Sequence, residues 1–215
     1  MSITLLVEKA KEIARTIHEN HFRQSGEGFF EHAEKVVVLL EDLGVTDENT
    51  LAAAYLHHSL ETPHHIDLEK ETNSEVFQLI KDYQNLSDNH FSSISSSTVS
   101  ADLLIQTYFN IAKNQKTLLI RLADKTANIR SAHKLPKELA HKIAERALYV
   151  YSPLCKLIGL PKFVNILEDG AFKILNPREY YKIEHYIKTN FPRINHELDD
   201  AKTFLHDIFE ENGIA

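Results

Sequence analysis

The sequence predicts an all-α protein. Apolar residues recur at helical spacing along almost the whole chain, and no stretch alternates apolar and polar residues with period two. Glycine and proline number only six each in 215 residues, whereas antiparallel sheets use both at every turn.

Taken in order, Ile3, Leu6, Ala10, Ile13, Ala14 and Ile17 form one apolar stripe, with Ser2 available as N-cap. Ala33, Val36, Val37, Leu40 and Leu43 form a second, closed by Gly44 as a left-handed C-terminal cap. Thr46 or Asp47 opens a third helix, with Asp47 and Glu48 at the positive end of its dipole. That helix is expected to run through residues 51–61 and must stop before Pro63. A fourth fits 74–83. Residues 92–100 are small, polar and serine-rich, and read as a loop, either a lid or a poorly ordered connection. Helices resume at 101–113, 117–131, 136–151, 161–175, 177–189 and 192–211, four of them opening on proline, its favoured helical position. The chain divides in sequence into a core over 1–155 and additional C-terminal helices over 156–215, expected to pack on that core. The last of these is amphipathic through Ile194, Leu198, Phe204, Leu205 and Ile208, and a homodimer is the alternative cover for that face.

Composition excludes several function classes. With 24 basic against 31 acidic side chains the net charge is −7, so a DNA partner is not expected. One cysteine, Cys155, rules out disulfide scaffolds and cysteine zinc sites, and beside Leu154 and Leu157 it reads as core. No apolar run approaches the ~20 residues of a membrane span, and the first residues carry Glu8 rather than a signal-peptide pattern. A cytoplasmic protein without membrane contact is expected. Any metal must sit on histidine and carboxylate, and histidines number 13.

Residues 23–32, 57–62 and 122–130 place His32, His57 with His58, and Asp124 on or beside expected helices. Helices crossing in a bundle can project imidazoles and carboxylates into one cavity. A mixed nitrogen and oxygen set suits manganese, iron or zinc. A metal so held lowers the pKa of bound water and draws charge from phosphate. On spacing alone the signal is weak, because a single histidine is more often a surface or core residue than a ligand, and 13 of them guarantee chance pairs.

The stretches together resemble a family. Gly26-Glu27 followed by His32, then 51–57 ending in His57, then 119–124 ending in Asp124 with Asn128 and Arg130, are similar to the HD-type hydrolase domain of the RelA/SpoT homologues. Segments around Pro153, Gly159, 167–172 and 175–181 resemble the region beyond that domain in the long members. The resemblance implies an HD-domain helical bundle, free-standing here without the synthetase domain, that binds guanosine tetra- or pentaphosphate and removes its 3′-pyrophosphate. Family members hold manganese with two histidines, the aspartate of a His-Asp pair and a later aspartate. By match, His32, His57 and Asp124 are ligands, and His58 stands at the pair's aspartate. Glu61 matches the glutamate of a Glu-Asp pair that orients the attacking water, and four residues after His57 it is expected on the same helix face. Arg23 matches a residue lining the guanine, Asn128 one contacting the nucleoside and Lys125 a basic residue near phosphate, with Arg130 a further cation for the nucleotide.

The departures are His58, Thr62 in place of the acid of the Glu-Asp pair, Gln24 for a common basic residue and Ala127 for a usual histidine. Three histidines and one aspartate bring one negative charge instead of two, a softer set that holds manganese less well and zinc or iron comparatively better. Thr62 cannot act as a base, which leaves water activation to the metal and Glu61. A metal-dependent phosphohydrolase of the alarmone is therefore the first expectation. The alternatives are a catalytically weak or inactive alarmone-binding regulatory domain, and a hydrolase of a different nucleotide with a rim altered by Gln24 and the serine loop. His64 and His65 are expected in a solvated loop, and His133, His141, His185, His196 and His206 on the surface.

Overall fold

The computed structural model describes residues 5–85 and 114–212. Ser2, the 92–100 loop and the expected 101–113 helix lie outside the described residues. The chain forms two units, Met1–Leu175 and Asn176–Ala215. Among the described residues there is no strand, only an isolated antiparallel bridge between Phe22 and Gly28.

In the first unit, α1 (Leu5–Ile17) buries Val7, Ala10, Ile13, Ala14 and Ile17, the expected stripe. Helix α2 (Phe29–Asp42) buries His32 together with Ala33, Val36, Val37, Leu39 and Leu40. It ends as expected at Gly44, whose φ of +83° is left-handed. There the Gly44 N–H donates to the Glu41 carbonyl at 2.8 Å and the Val45 N–H to the Leu40 carbonyl at 3.1 Å, satisfying carbonyls the helix end would orphan. Helix α3 (Glu48–Leu56) is capped by the Asp47 carboxylate, which accepts from the Thr50 N–H at 2.8 Å.

Helix α3 stops short of the expected Glu61. The His57 imidazole takes the Ala54 carbonyl at 2.6 Å, the group that a continuing helix would give to the His58 N–H. His58 (φ −101°, ψ 1°) leaves helical geometry, and one tight turn, Ser59–Glu61, comes before Pro63. Glu61 is therefore not on the helical face of His57. A short α4 (Leu68–Glu71), capped by Asp67, was not expected; α5 (Ser74–Asn85) buries Val76, Leu79, Ile80 and Tyr83.

Helix α6 (Gln115–Ser131), capped by the Asn114 side chain, packs against α2, α3 and α5 and buries Asp124. Helix α7 (Lys137–Arg146) passes into a π-helical turn (Ala147–Tyr151), then α8 (Ser152–Leu157), where the sequence suggested one helix to Tyr151. Helix α9 (Pro161–Leu175) buries Phe163, Val164, Leu167 and Ala171, so it belongs to the first unit. It approaches α6 so closely that a Cβ on Gly170 would lie 2.7 Å from Ile129 Cγ1.

The second unit is one helix, α10 (Pro177–Glu211), of 35 residues. The expected break at Pro192 is absent. A proline removes one backbone N–H and crowds the carbonyl four residues earlier, but its fixed φ is close to helical, so the chain can continue at a cost of about 3 kcal/mol. Ile183, Ile187, Phe191, Leu198 and Leu205 are exposed along it.

Candidate functional site

Three helices and the turn after α3 bring together His32 from α2, His57 and His58 from the end of α3, and Asp124 from the middle of α6. One ligand atom from each lies within 4.8 Å of the others. His32, His57 and Asp124 are at most 2% exposed, and the His58 side chain is 14% exposed. The four residues that the sequence nominated as ligands thus form one cluster.

The imidazoles of His57 and His58 are anchored at Nδ1. His57 Nδ1–H donates to the Ala54 carbonyl oxygen at 2.6 Å and His58 Nδ1–H to Glu61 Oε1 at 2.9 Å. His32 Nδ1 lies 3.6 Å from Glu27 Oε2. His32 Nε2 reaches Asp124 Oδ1 at 3.0 Å. The Nε2 atoms of His57 and His58 are buried and have no hydrogen-bond partner among the described residues. Buried imidazole nitrogens are ordinarily satisfied, and a cation shared with the Asp124 carboxylate would satisfy both. The residues present therefore fit a divalent metal, with a bonded acceptor behind His57 and His58 of the kind that metal-binding histidines use, and the Glu27 carboxylate facing His32 at 3.6 Å.

Electrostatics favour the same state. Burial and then the neighbouring His58 push the His57 pKa well below its usual value, keeping the neutral imidazole that a metal requires. Burial also lowers His58, against the pull of Glu61. Burial alone would raise the Asp124 carboxyl, but Lys125 and the His32 hydrogen bond hold it well below the usual range. Burial would likewise raise Glu61, but its bond to His58 and the charge of that ring hold it below its usual value. Asp124 Oδ2 accepts from the Tyr83 hydroxyl at 2.7 Å, and Asp124 Oδ1 from Asn128 Nδ2 at 2.9 Å. Lys125 Nζ lies 3.2 Å from Asp124 Oδ2.

The cluster opens on a cavity of about 620 Å³, lined by His58, Glu61, Tyr83 and Asp124 and also by the apolar Leu135, Leu139, Ile143 and the ring of Tyr151. Arg23, Arg121, Lys125 and Arg146 line it, so four cations face the two carboxylates of Glu61 and Asp124. Arg23 donates to Asn128 Oδ1 at 2.6 Å, joining the loop before α2 to α6. The expected residues Arg23, Lys125, Asn128 and Glu61 all line this cavity, and Gln24 stands at its rim.

Arg130 is a correction. It is exposed and is not among the described residues that line the cavity. At about 100° per residue it points roughly 200° away from Asn128. Arg121, one turn before Asp124, takes the cavity side of α6 instead, its guanidinium 5.2 Å from the Tyr83 ring. Thr62 is buried away from the cavity, its hydroxyl 3.4 Å from His18 Nδ1. Burial lowers His18 to about 4. Tyr83, Arg121, Arg146 and the anchoring role of Glu27 were missed. Arg121 was legible from its helical spacing to Asp124. Nothing in the sequence around Tyr83 separates it from an ordinary core tyrosine. His65, His133, His185, His196 and His206 are exposed, whereas His64 and His141 are half-buried.

Comparison with known proteins supplies relatives for this arrangement. A family model described as HD domain matches residues 10–160. GTP pyrophosphokinase rsh of Brucella melitensis biotype 1 is 28% identical over 97% of the chain and 28% of its own length. The guanosine-3′,5′-bis(diphosphate) 3′-pyrophosphohydrolase of Borreliella burgdorferi is 27% identical over 96% of the chain and 31% of its own length. A Synechocystis protein named as a probable enzyme of the same activity is 30% identical over 97% of the chain and 27% of its own length. The chain thus spans about a third or less of these relatives. A solved structure described as a metazoan ortholog of SpoT that hydrolyzes ppGpp superposes with a TM-score of 0.52 at 20% identity, covering 83% of this chain and 98% of that one. At that identity the likeness speaks for the fold.

Proposed function

The chain belongs to the HD domain family, and from that premise we propose that it is a metal-dependent phosphohydrolase that removes the 3′-pyrophosphate of guanosine tetra- or pentaphosphate. The observation that carries this reading is the convergence of His32, His57, His58 and Asp124 beside a cavity lined by four cations. The names of relatives that align with nearly the whole chain support the substrate.

His32, His57, His58 and Asp124 would hold the divalent ion, manganese by family resemblance and zinc or iron by the chemistry of three imidazoles. When bound, such an ion supplies a hydroxide near neutral pH and offsets phosphate charge. The protein's own groups do the rest. Lys125 and the His32 hydrogen bond hold Asp124 in its ionised form, and Tyr83 helps to fix its orientation. Arg23 and Asn128, already bonded to one another, offer donors to the nucleoside end. Lys125, Arg121 and Arg146 meet the phosphates. Water adds to the phosphorus, the bond to the 3′ oxygen breaks, and that oxygen leaves as the ribose hydroxyl. Glu61 at the mouth orients groups on the water side.

A second reading is favoured by Thr62. Its hydroxyl is buried against His18, so no second acid reaches the cavity from this position, and the domain would then bind the alarmone with slow turnover or none. A hydrolase of a different nucleotide is the reading that Gln24 at the rim supports. Incubation of the metal-loaded protein with guanosine tetraphosphate separates these. Pyrophosphate release that disappears in Asp124→Ala supports the enzyme, tight binding without release supports the regulatory domain, and neither binding nor release removes the alarmone from the proposal.

A further inference from the structure

We propose that Glu61 is a positioning residue for His58, and that this pair makes the centre nitrogen-rich and shifts its preference from manganese toward borderline ions such as zinc. The inference rests on the reading of His32, His57, His58 and Asp124 as metal ligands.

An imidazole ligand needs something that a carboxylate does not. A ligating histidine uses one ring nitrogen on the metal and carries a proton on the other, and that buried N–H must find an acceptor. His57 finds the Ala54 carbonyl. His58 sits one residue later, where the chain has left the helix and offers no such carbonyl, and its Nδ1–H meets Glu61 Oε1 at 2.9 Å instead. The tight turn Ser59–Glu61 makes this contact. In such a turn residues three apart stand one above the other, which brings Glu61 over His58. With Nδ1 so occupied, the lone pair of the tautomer is on Nε2, and that atom is buried with no hydrogen-bond partner among the described residues.

The ring is also confined from the sides. Its centroid lies 4.1 Å from that of His57, 5.4 Å from Phe29 and 6.0 Å from Tyr83, the last two edge to face. A ring fixed at its far nitrogen and packed on three faces keeps one orientation, and orientation is what a ligand's partner supplies. The resulting set is three imidazoles and one carboxylate, with one formal negative charge. Oxygen-preferring manganese gains less from such a set than zinc does. Any nitrogen-containing site binds zinc more tightly than manganese, so the diagnostic quantity is the change in the ratio when residue 58 changes.

The experiment uses the full chain and the metals alone, without nucleotide. Dissociation constants for Zn2+ and Mn2+ are measured by chelator competition for the wild type, His58→Asp, Glu61→Ala and Glu61→Gln, with circular dichroism to confirm that each folds. The zinc-to-manganese preference is expected to shrink at least tenfold in His58→Asp. Glu61→Ala is expected to weaken zinc by about 10–100-fold, as loss of the acceptor behind a ligating histidine does. Glu61→Gln, whose amide oxygen still accepts from Nδ1–H, retains most of the affinity. An unchanged preference in His58→Asp, or unchanged zinc binding in Glu61→Ala, overturns the proposal, and so does a wild type that binds neither ion. Because no substrate is used, metal preferences that fit this pattern in a protein that fails to release pyrophosphate would sink the hydrolase reading and leave this inference standing.

Discussion

Tyr83 donates its hydroxyl to Asp124 from a helix 41 residues away in sequence, and no local pattern could have announced the pair. Removing the hydroxyl leaves a buried carboxylate oxygen with one partner fewer. Tyr83→Phe is therefore expected to weaken metal binding by about 10–100-fold, checked by chelator competition, while the helix content stays unchanged. Acid stability gives a second prediction at this scale. Burial lowers His18 to about 4 from an ordinary 6.5, so between those values the unfolded chain binds the proton that the folded chain refuses. Stability is expected to fall as pH drops from about 6.5 toward 4, and His18→Gln should flatten that part of the profile in urea titrations. Glu27 acts in a lower window. His32 and Lys35 pull its carboxyl from 4.5 to about 2, so its contribution is intact above 4.5 and is lost as pH falls toward 2. The four clustered residues were legible because a family resemblance nominated them one by one. Of the groups that touch them, Glu61, Lys125 and Asn128 were nominated for other roles and Glu27 stood in a recognisable motif without one, whereas Tyr83 carried no signal.

Helix boundaries obeyed capping chemistry where a cap was visible in the sequence. Asp47 opens α3 and Gly44 closes α2, each by the hydrogen bonds its residue type permits. The end of α3 departed because a side chain, His57, captured a backbone carbonyl, a competition that periodicity does not register. The π-helical turn Ala147–Tyr151 inserts an extra residue that a 3.6-residue count reads as an ordinary helix, and it places Ala147 and Tyr151 on the cavity wall. The α6–α9 contact yields a sharp test. With Ile129 Cγ1 only 2.7 Å from a Cβ at position 170, Gly170→Ala must displace α9 or twist Ile129 off its rotamer. A loss of about 1–3 kcal/mol is expected by denaturant unfolding, although alanine is otherwise the better helix former. A stability equal to or above wild type would show that the two helices are not in close approach.

At the scale of the whole molecule, a chain of net charge −7 can receive a polyphosphate only where its field is locally reversed, and the cavity with Arg23, Arg121, Lys125 and Arg146 is such a place. Arg146→Ala is expected to weaken nucleotide binding about tenfold at low salt and to leave a shallower salt dependence, measured by calorimetry. The all-α class could be read from periodicity and the scarcity of glycine and proline. The meeting of residues 32, 57, 58 and 124 depends on how α2, α3 and α6 cross, which only the packed core decides. Because those ligands join three helices, a bound ion should also raise the unfolding temperature, by more as its concentration exceeds its dissociation constant. The most direct measurement is pyrophosphate release from guanosine tetraphosphate by the full chain, stripped of metal and then reloaded. Release that requires the added ion and vanishes in Asp124→Ala is the predicted result; no release from a fully loaded, folded protein would contradict the account.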